Sequence, residues 1–408
     1  MKRTIATTSL ILALGGTAMA DLYYVGDETV ESLPIRWSVG MNLIYDDNVM
    51  PGLSTPEEDS LAVNPYVGVT WINATPQTTL DVYARLGMIY YFDAPNGVDD
   101  FNPQSRLGVN LTHRFSERLR FISRNFVSYE LEPDYSYGYA NTRVAGEYFY
   151  WQSYNAIGFR WTERFGTYTG ITFSGVDYTD SSDNDRLTIG FNNEFRYQLT
   201  PQTVLTAEYR YNETMGNGLG RDSTNHFGFI GAEHRFSPTT VGVLRLGMQQ
   251  REVDLGSSNT EPSLEAALSS RLNDQFSVRA FVRYSMESYD TVRIAKGSGQ
   301  TVEYDQRGTL RVGVSAEYIL SPTISFNGGI DYIPASYENG VRRDSLGGPD
   351  NFPSSADDEI FNVYVGMSYK FTDYLFGTLS YTYTDSSSDL AGRDYERNRV
   401  SVGVRAEF

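Results

Sequence analysis

From Gln275 to Glu287 the chain alternates between two kinds of side chain. Phe276, Val278, Ala280, Val282, Tyr284 and Met286 fall on one face of an extended strand. Ser277, Arg279, Phe281, Arg283, Ser285 and Glu287 fall on the other. Residues 307–320 repeat the pattern, with Leu310, Val312, Val314, Ala316 and Tyr318 opposite Arg307, Thr309, Arg311, Ser315 and Glu317. The same period of two runs through 106–115, 186–199, 360–371 and 397–408, and it predicts β-strands with one apolar and one polar face.

Between Pro34 and Phe408 there are about eighteen such runs, joined by connections that alternate long and short. The short ones share a local code: Leu111-x-His113-x-Phe115-Ser116, Phe195-x-Tyr197-x-Leu199-Thr200, Ala232-x-His234-x-Phe236-Ser237, Ala316-x-Tyr318-x-Leu320-Ser321 and Met367-x-Tyr369-x-Phe371-Thr372. Turn residues follow, as in Pro201-Gln202, Pro238-Thr239 and Pro322-Thr323. Apolar residues at every second position suit contact with lipid, and an aromatic ring beside the turn suits the membrane interface. The reading is an all-β fold: a transmembrane antiparallel up-and-down β-barrel of about eighteen strands, with short periplasmic turns, long extracellular loops and both ends in the periplasm. A secreted β-sandwich or β-helix shares the alternation, but it gives no reason for loops that are long on one side only.

Composition narrows the chemistry. The 408 residues carry 33 Lys and Arg against 51 Asp and Glu, which leaves no basic excess with which to bind nucleic acid. The absence of Cys excludes disulfides and thiolate metal sites, and three His make a histidine-based centre improbable. No metal or other cofactor is expected. Residues 1–20 have the parts of a secretory signal: Lys2 and Arg3, an apolar run around Leu10 to Leu14, and a small-residue site ending at Ala20. Cleavage there leaves residues 21–408 as one barrel domain, with its first strand near residue 35.

The last run places Val400, Val402, Val404, Ala406 and Phe408 on one face. Alternating apolar residues ending on an aromatic resemble the assembly signal of outer-membrane barrels, which makes Phe408 the expected contact with the barrel assembly machinery. At the other end, Trp37, Val39, Met41, Leu43 and Tyr45 alternate and lead into Asp46-Asp47-Asn48, within the stretch SVGMNLIYDDNV. This opening resembles the putative β-barrel porin 2 family of outer-membrane proteins. The resemblance implies a pore, or an outer-membrane part of a surface-polysaccharide system.

Arginine is the most conspicuous residue of the polar faces. Arg85, Arg106, Arg196, Arg210, Arg245, Arg279, Arg283, Arg307, Arg311 and Arg399 all lie opposite the apolar stripe, so that face is expected to be the lumen, since Arg toward mid-bilayer lipid costs about 2–4 kcal/mol. Arg114, Arg160, Arg186, Arg271, Arg397 and Arg405 share that face, and its acids are Asp81, Glu194, Glu208, Glu265, Glu287, Glu317, Asp331 and Glu407, which puts wall Arg ahead by about two to one. Either the two signs neutralise each other across strands, or unpaired Arg rows form an electropositive constriction for anionic or hydroxyl-rich solutes.

Other acids cluster in the long connections: Glu57 to Asp59, Asp99 and Asp100, Asp180, Asp183 and Asp185, Asp357 to Glu359, and Asp385 with Asp389. They read as solvated charge or as weak sites for Ca²⁺ or Mg²⁺ bridging loops and lipopolysaccharide; none completes a calcium-loop motif. Ser223, Asn225 and His226 are the sole outer-rim group offering a nucleophile and base, without an elbow motif, so no enzyme is expected. The expected function is an outer-membrane pore of a Gram-negative bacterium for small hydrophilic solutes with a mild anion preference. The alternative is a structural or export component with a plugged lumen. Expected partners are membrane lipid and lipopolysaccharide, the assembly machinery, and either further copies of the chain or periplasmic export proteins.

Overall fold

The computed structural model describes residues 32–49, 58–94, 99–131, 147–179, 185–217, 222–254, 256, 258–287, 292–342 and 353–408. The signal segment 1–20 and the loop acids Glu57, Asp180 and Asp183 lie outside these residues.

Eighteen strands form one antiparallel sheet. In chain order they are β1 (Leu33–Asp46), β2 (Ser60–Ala74), β3 (Thr78–Tyr91), β4 (Phe101–Arg114), β5 (Leu119–Glu130), β6 (Tyr148–Arg160), β7 (Phe165–Tyr178), β8 (Arg186–Thr200) and β9 (Thr203–Gly216). They continue as β10 (Ser223–Ser237), β11 (Thr240–Val253), β12 (Ser258–Arg271), β13 (Phe276–Met286), β16 (Gln306–Ser321), β17 (Ile324–Glu338), β19 (Ala356–Lys370), β20 (Leu375–Ser388) and β21 (Tyr395–Glu407). Each pairs with the next, and β21 pairs with β1 from Ser38↔Glu407 to Asp46↔Arg399, which closes the barrel. Trp37 and Phe408 exchange backbone hydrogen bonds at 2.8 and 3.0 Å at the base of this seam. Three short strands, β14 (Val292–Ile294), β15 (Thr301–Glu303) and β18 (Val341–Arg342), form a separate small sheet.

The expected alternation holds around the wall. Trp37, Val39, Met41 and Leu43 of β1 are exposed outward, while Ile44 and Asp46 are buried inward. Leu86, Ile157, Ile230, Leu246, Val314, Val365 and Val402 continue the apolar outer surface on other strands. An apolar surface on this many strands is stable where lipid, not water, covers it. Closure satisfies the edge hydrogen bonds that an open sheet would leave unpaired in hydrocarbon.

The turn code has a structural cause. Ser116 Oγ accepts hydrogen bonds from the N–H groups of Arg118 and Leu119 at 3.2 and 3.0 Å, and Thr200, Ser321 and Thr372 do the same for their own turns. A hydroxyl at that position replaces the ladder partner lost where the strand ends. Just above, His113 packs edge-on against Phe115, and His234 against Phe236, with centroids 4.6 Å apart in both pairs. Thr78 and Thr203 hold the two imidazoles at 2.7 and 2.9 Å. The rings form a girdle at the short-turn end.

Candidate functional site

The inner wall is where polar side chains converge. On β8 to β12 the acids and arginines link into one chain. Arg196 contacts Glu194 at 3.0 Å and Glu233 at 2.6 Å. Arg245 reaches Glu194 at 3.1 Å and Glu208 at 2.7 Å, and Arg210 spans Glu208 and Glu265 at 3.2 and 3.0 Å. These side chains cover one another and are nearly inaccessible, Arg245 being 4% exposed and Glu265 9%. Pairing inside the low-dielectric wall cancels most of this charge, four glutamates meeting three arginines with Arg283 of β13 adding to the field at Glu265, so this sector offers a passing ion little net charge.

Three further arginines are paired elsewhere. Arg106 grips Glu130 through two nitrogens, one contact at 2.6 Å. Arg311 binds Glu287 in the same way at 2.8 and 3.0 Å. Arg399 lies 3.8 Å from Asp46. The remaining four of the ten arginines named first from the sequence differ from these. Arg85 lies 3.7 Å over the Tyr66 ring and donates to Asn64 Oδ1 at 3.3 Å, which fastens it to the wall. Tyr66 in turn lies across Gly40, where a Cβ would collide with the ring, so the glycine lets the aromatic lie flat. Arg307 is 1% exposed beneath Tyr337, whose ring lies 5.4 Å from its guanidinium carbon. A solute in the lumen cannot reach Arg307 in this conformation.

Arg279 and Arg283 stand apart, on β13. Neither forms a salt bridge among the described residues. Arg283 sits opposite Glu265 on β12 and Arg311 on β16 in the ladder; it forms no contact ion pair, but it shares the field of Glu265 with Arg210 and Arg245 and that of Glu287 with Arg311. Arg279 is opposite Ser269 and Ser315 and is exposed to the lumen. The two cations share the inner face of one strand, with Phe281 between them.

The sequence reading undercounted the wall acids. Asp46, Glu130, Glu233 and Asp358 also face inward and are buried, and each takes an arginine: Arg397, Arg106, Arg196 and Arg393. The two-to-one excess of arginine therefore overstates the free charge. Parity missed Glu233 because β10 places Phe227 and Phe229 on its inner face, which hides its alternation. Arg120 and Arg124 on β5 and Arg251 on β11 are also inward-facing arginines not singled out from the sequence.

The outer end of the lumen is partly filled. Tyr337 and Ala356, from the inner face of the wall, are fully buried against Ala295, Val302, Tyr304 and Leu390 from the connections. The Tyr304 and Tyr337 rings lie 5.5 Å apart. Arg393, between β20 and β21, donates to Tyr337 Oη at 2.8 Å and also binds Asp358. Inner-wall apolar side chains lose their water only if something folds over them; here β14, β15 and the segment around Leu390 do so, joined by the Ala295↔Leu390 bridge. The connection after Glu338 thus meets an inward-folded neighbour, with β18 pairing β15 at Val302↔Arg342.

The Asp46-Asp47-Asn48 motif is a clasp between the first and last strands. Asp46 takes the Arg397 guanidinium through both carboxylate oxygens, at 2.9 and 3.1 Å from Nε. The backbone N–H and side-chain amide of Asn398 donate to Asp47 at 2.6 and 2.7 Å. Asn48 donates to the Glu396 carbonyl at 2.9 Å.

Residues 300–408 match the family model described as putative beta-barrel porin 2. The match lies at the opposite end of the chain from the SVGMNLIYDDNV stretch, and the clasp joins the two. No curated protein sequence matches the chain. Among solved structures, the chain is similar to OccAB4 of Acinetobacter baumannii, 12% identical with TM-score 0.45, over 93% of this chain and 99% of that one. It is similar to the outer membrane protein opdK of Pseudomonas aeruginosa, 10% identical with TM-score 0.46, over 92% and 99%. The siderophore receptor PirA of Pseudomonas aeruginosa is 11% identical with TM-score 0.44, over 92% and 80%.

The outer-rim group shows no catalytic arrangement. Ser223 is buried on the inner face, whereas His226 is on the outer face with its Nδ1 2.9 Å from Tyr209 Oη. Adjacent parity on one strand keeps them on opposite sides of the wall. Among the described residues no group of three or more His, Asp or Glu is placed to hold a metal.

Proposed function

We propose that the protein is an outer-membrane channel for passive diffusion of small hydrophilic solutes, with a mild preference for anions. A barrel of eighteen strands is wide enough to leave an aqueous path once its side chains are in place, and the family match supports a porin. The observation that carries the anion preference is Arg279, exposed on the inner wall opposite Ser269 and Ser315, with Arg283 beyond Phe281 on the same face, in a wall whose other arginines are mostly neutralised. Fixed charge beside low-dielectric wall acts on ions more strongly than the same charge at a wide hydrated mouth. Acids near the outer rim, such as Asp357, Glu359 and Asp385, face the outside of the wall, since Ala356, Asp358, Thr384 and Ser386 beside them are buried inward; their field fades over roughly 10 Å at 0.1 M salt, so they oppose the preference mainly at low salt.

Planar-bilayer recording under a KCl gradient tests this reading. The wild-type protein is expected to conduct with a reversal potential on the anion side in molar salt. Replacing Arg279 and Arg283 by Gln is expected to lower the anion-to-cation permeability ratio roughly twofold, while removing the neutral pair together, Arg106→Gln with Glu130→Gln, changes it less. A strongly cation-selective wild-type pore in molar salt refutes the assignment.

The apolar cluster at the outer end favours a second reading, a structural or export component with a plugged lumen. The two separate on one experiment. If the cluster narrows an open pore, Tyr304→Ala with Leu390→Ala raises single-channel conductance above a measurable wild-type value. A plugged scaffold gives no conductance in the wild-type protein without its partners.

A further inference from the structure

The outer wall is apolar except in one sector. On β5 and β6 the outward positions between the two aromatic ends are Ser123 and Asn125, paired in the ladder with Asn155 and Ser153. Below them on the same face lie Phe121 and Ile157, and above them Val127, Trp151 and Phe149. The four polar residues therefore occupy the middle of the band that lipid chains cover. Ile157 and Phe149 are exposed on this face, at 54% and 37%, which fixes its outward direction.

The four side chains close a ring. Ser123 Oγ donates to Asn155 Oδ1 at 2.8 Å, and Asn155 Nδ2 donates to Ser153 Oγ at 2.9 Å. Ser153 Oγ donates to Asn125 Oδ1 at 2.8 Å, and Asn125 Nδ2 returns to Ser123 Oγ at 3.0 Å. The ring uses both hydroxyl protons but only one of the two protons on each carboxamide nitrogen. One N–H on each Asn and spare lone pairs on the oxygens are left over, in a medium that offers them no partner. Two strands further round the outer face, Thr169 pairs with Asn193, whose Oδ1 is buried without a hydrogen-bond partner. Mid-wall positions elsewhere on this surface carry Leu86, Ile230, Val314 and Val365, which make no such demand.

We propose that the outer face of β5 and β6 is the contact between two copies of this chain, centred on the ring of Ser123, Asn125, Ser153 and Asn155. The ring favours a second copy over other occupants because its leftover groups are self-complementary: amide donors and oxygen acceptors are present together, without charge. Copies inserted in one membrane share their orientation, so a two-fold axis along the membrane normal brings the same patch onto itself. Each ring then supplies acceptors for the amide protons of the other, which acyl chains cannot do. Contact between polar side chains in place of lipid is what holds such an interface together.

The protein has no native Cys, so single cysteines report on one position each. Ile157→Cys lies beside the ring, and Val314→Cys lies on the outer face of β16, across the barrel. In native membranes treated with copper phenanthroline or a short bismaleimide, Ile157→Cys is expected to give covalent dimer at least tenfold more than Val314→Cys. Adding Asn125→Val and Asn155→Val to Ile157→Cys is expected to abolish that dimer while the barrel keeps its heat-modifiable gel mobility. Equal or absent crosslinking at the two positions in the otherwise unaltered protein overturns the proposal, whatever the folding of the double variant. So does a dimer that persists in a folded double variant, or a crosslinked product containing a different protein.

Discussion

Asp46→Ala is expected to lower barrel stability by about 3–5 kcal/mol, the range for removing one partner of a buried ion pair. Its side chain is 1% exposed and that of Arg397 9%, so the guanidinium left behind has no water to replace the carboxylate. The position is also mechanical. Asp46 and Arg397 join the first strand to the last, and this seam is the one ladder whose strands lie at opposite ends of the sequence. Equilibrium unfolding in guanidinium, followed by fluorescence of the four Trp, measures the loss. Asp47→Ala should cost less, since it removes hydrogen bonds to the neutral Asn398 and strands no charge. If Asp46→Ala and Asp47→Ala unfold at the same denaturant concentration as the wild type, the clasp does not contribute to closure.

Arg245→Met is the second large expected effect. This guanidinium lies within 3.6 Å of Glu194, Glu208 and Glu265 and is almost wholly buried. Removing it leaves three acids in contact with Arg196 and Arg210 alone, with Arg283 acting on Glu265 from further off, so the loss is again expected at about 3–5 kcal/mol. Glu208→Gln in the Arg245→Met background should recover a large part of it, because an amide neither repels its neighbours nor demands a counter-ion. Groups in one ion network are coupled, so the double variant should be more stable than the sum of the single losses predicts. A second readout is selectivity: uncompensated carboxylate in the wall moves the reversal potential toward cations. Simple additivity of the two substitutions would show that the residues do not act as a network.

Both predictions concern contacts that could not be read from the chain, and the reason is the same in each. Alternation with a period of two is a local property. It shows which side of a strand each residue occupies, so the apolar outer face, the inward direction of Arg279 and Arg283, and the turn code ending in Ser116, Thr200 or Ser321 were all legible. Hairpin connections preserve that information because successive strands pair, which is why an up-and-down barrel of eighteen strands followed from the pattern. Where alternation is weak it said little. On β5 the outward residues Ser123 and Asn125 and the inward Ile122 and Phe126 blur the two faces, and the lipid-facing ring went unseen.

Pairing of charge depends on register, shear and closure. Arg245 meets Glu194 across 51 positions, and Arg397 meets Asp46 across 351. No local spacing encodes such distances. By itself the sequence determined the element type, the direction of strand residues wherever alternation is strong, and the order of the strands. Only the tertiary structure decided which arginines are neutralised, that Arg307 is sealed beneath Tyr337, and that connecting segments fold over the inner wall at the outer end. Those outcomes depend on how strands distant in the chain are brought side by side when the barrel closes.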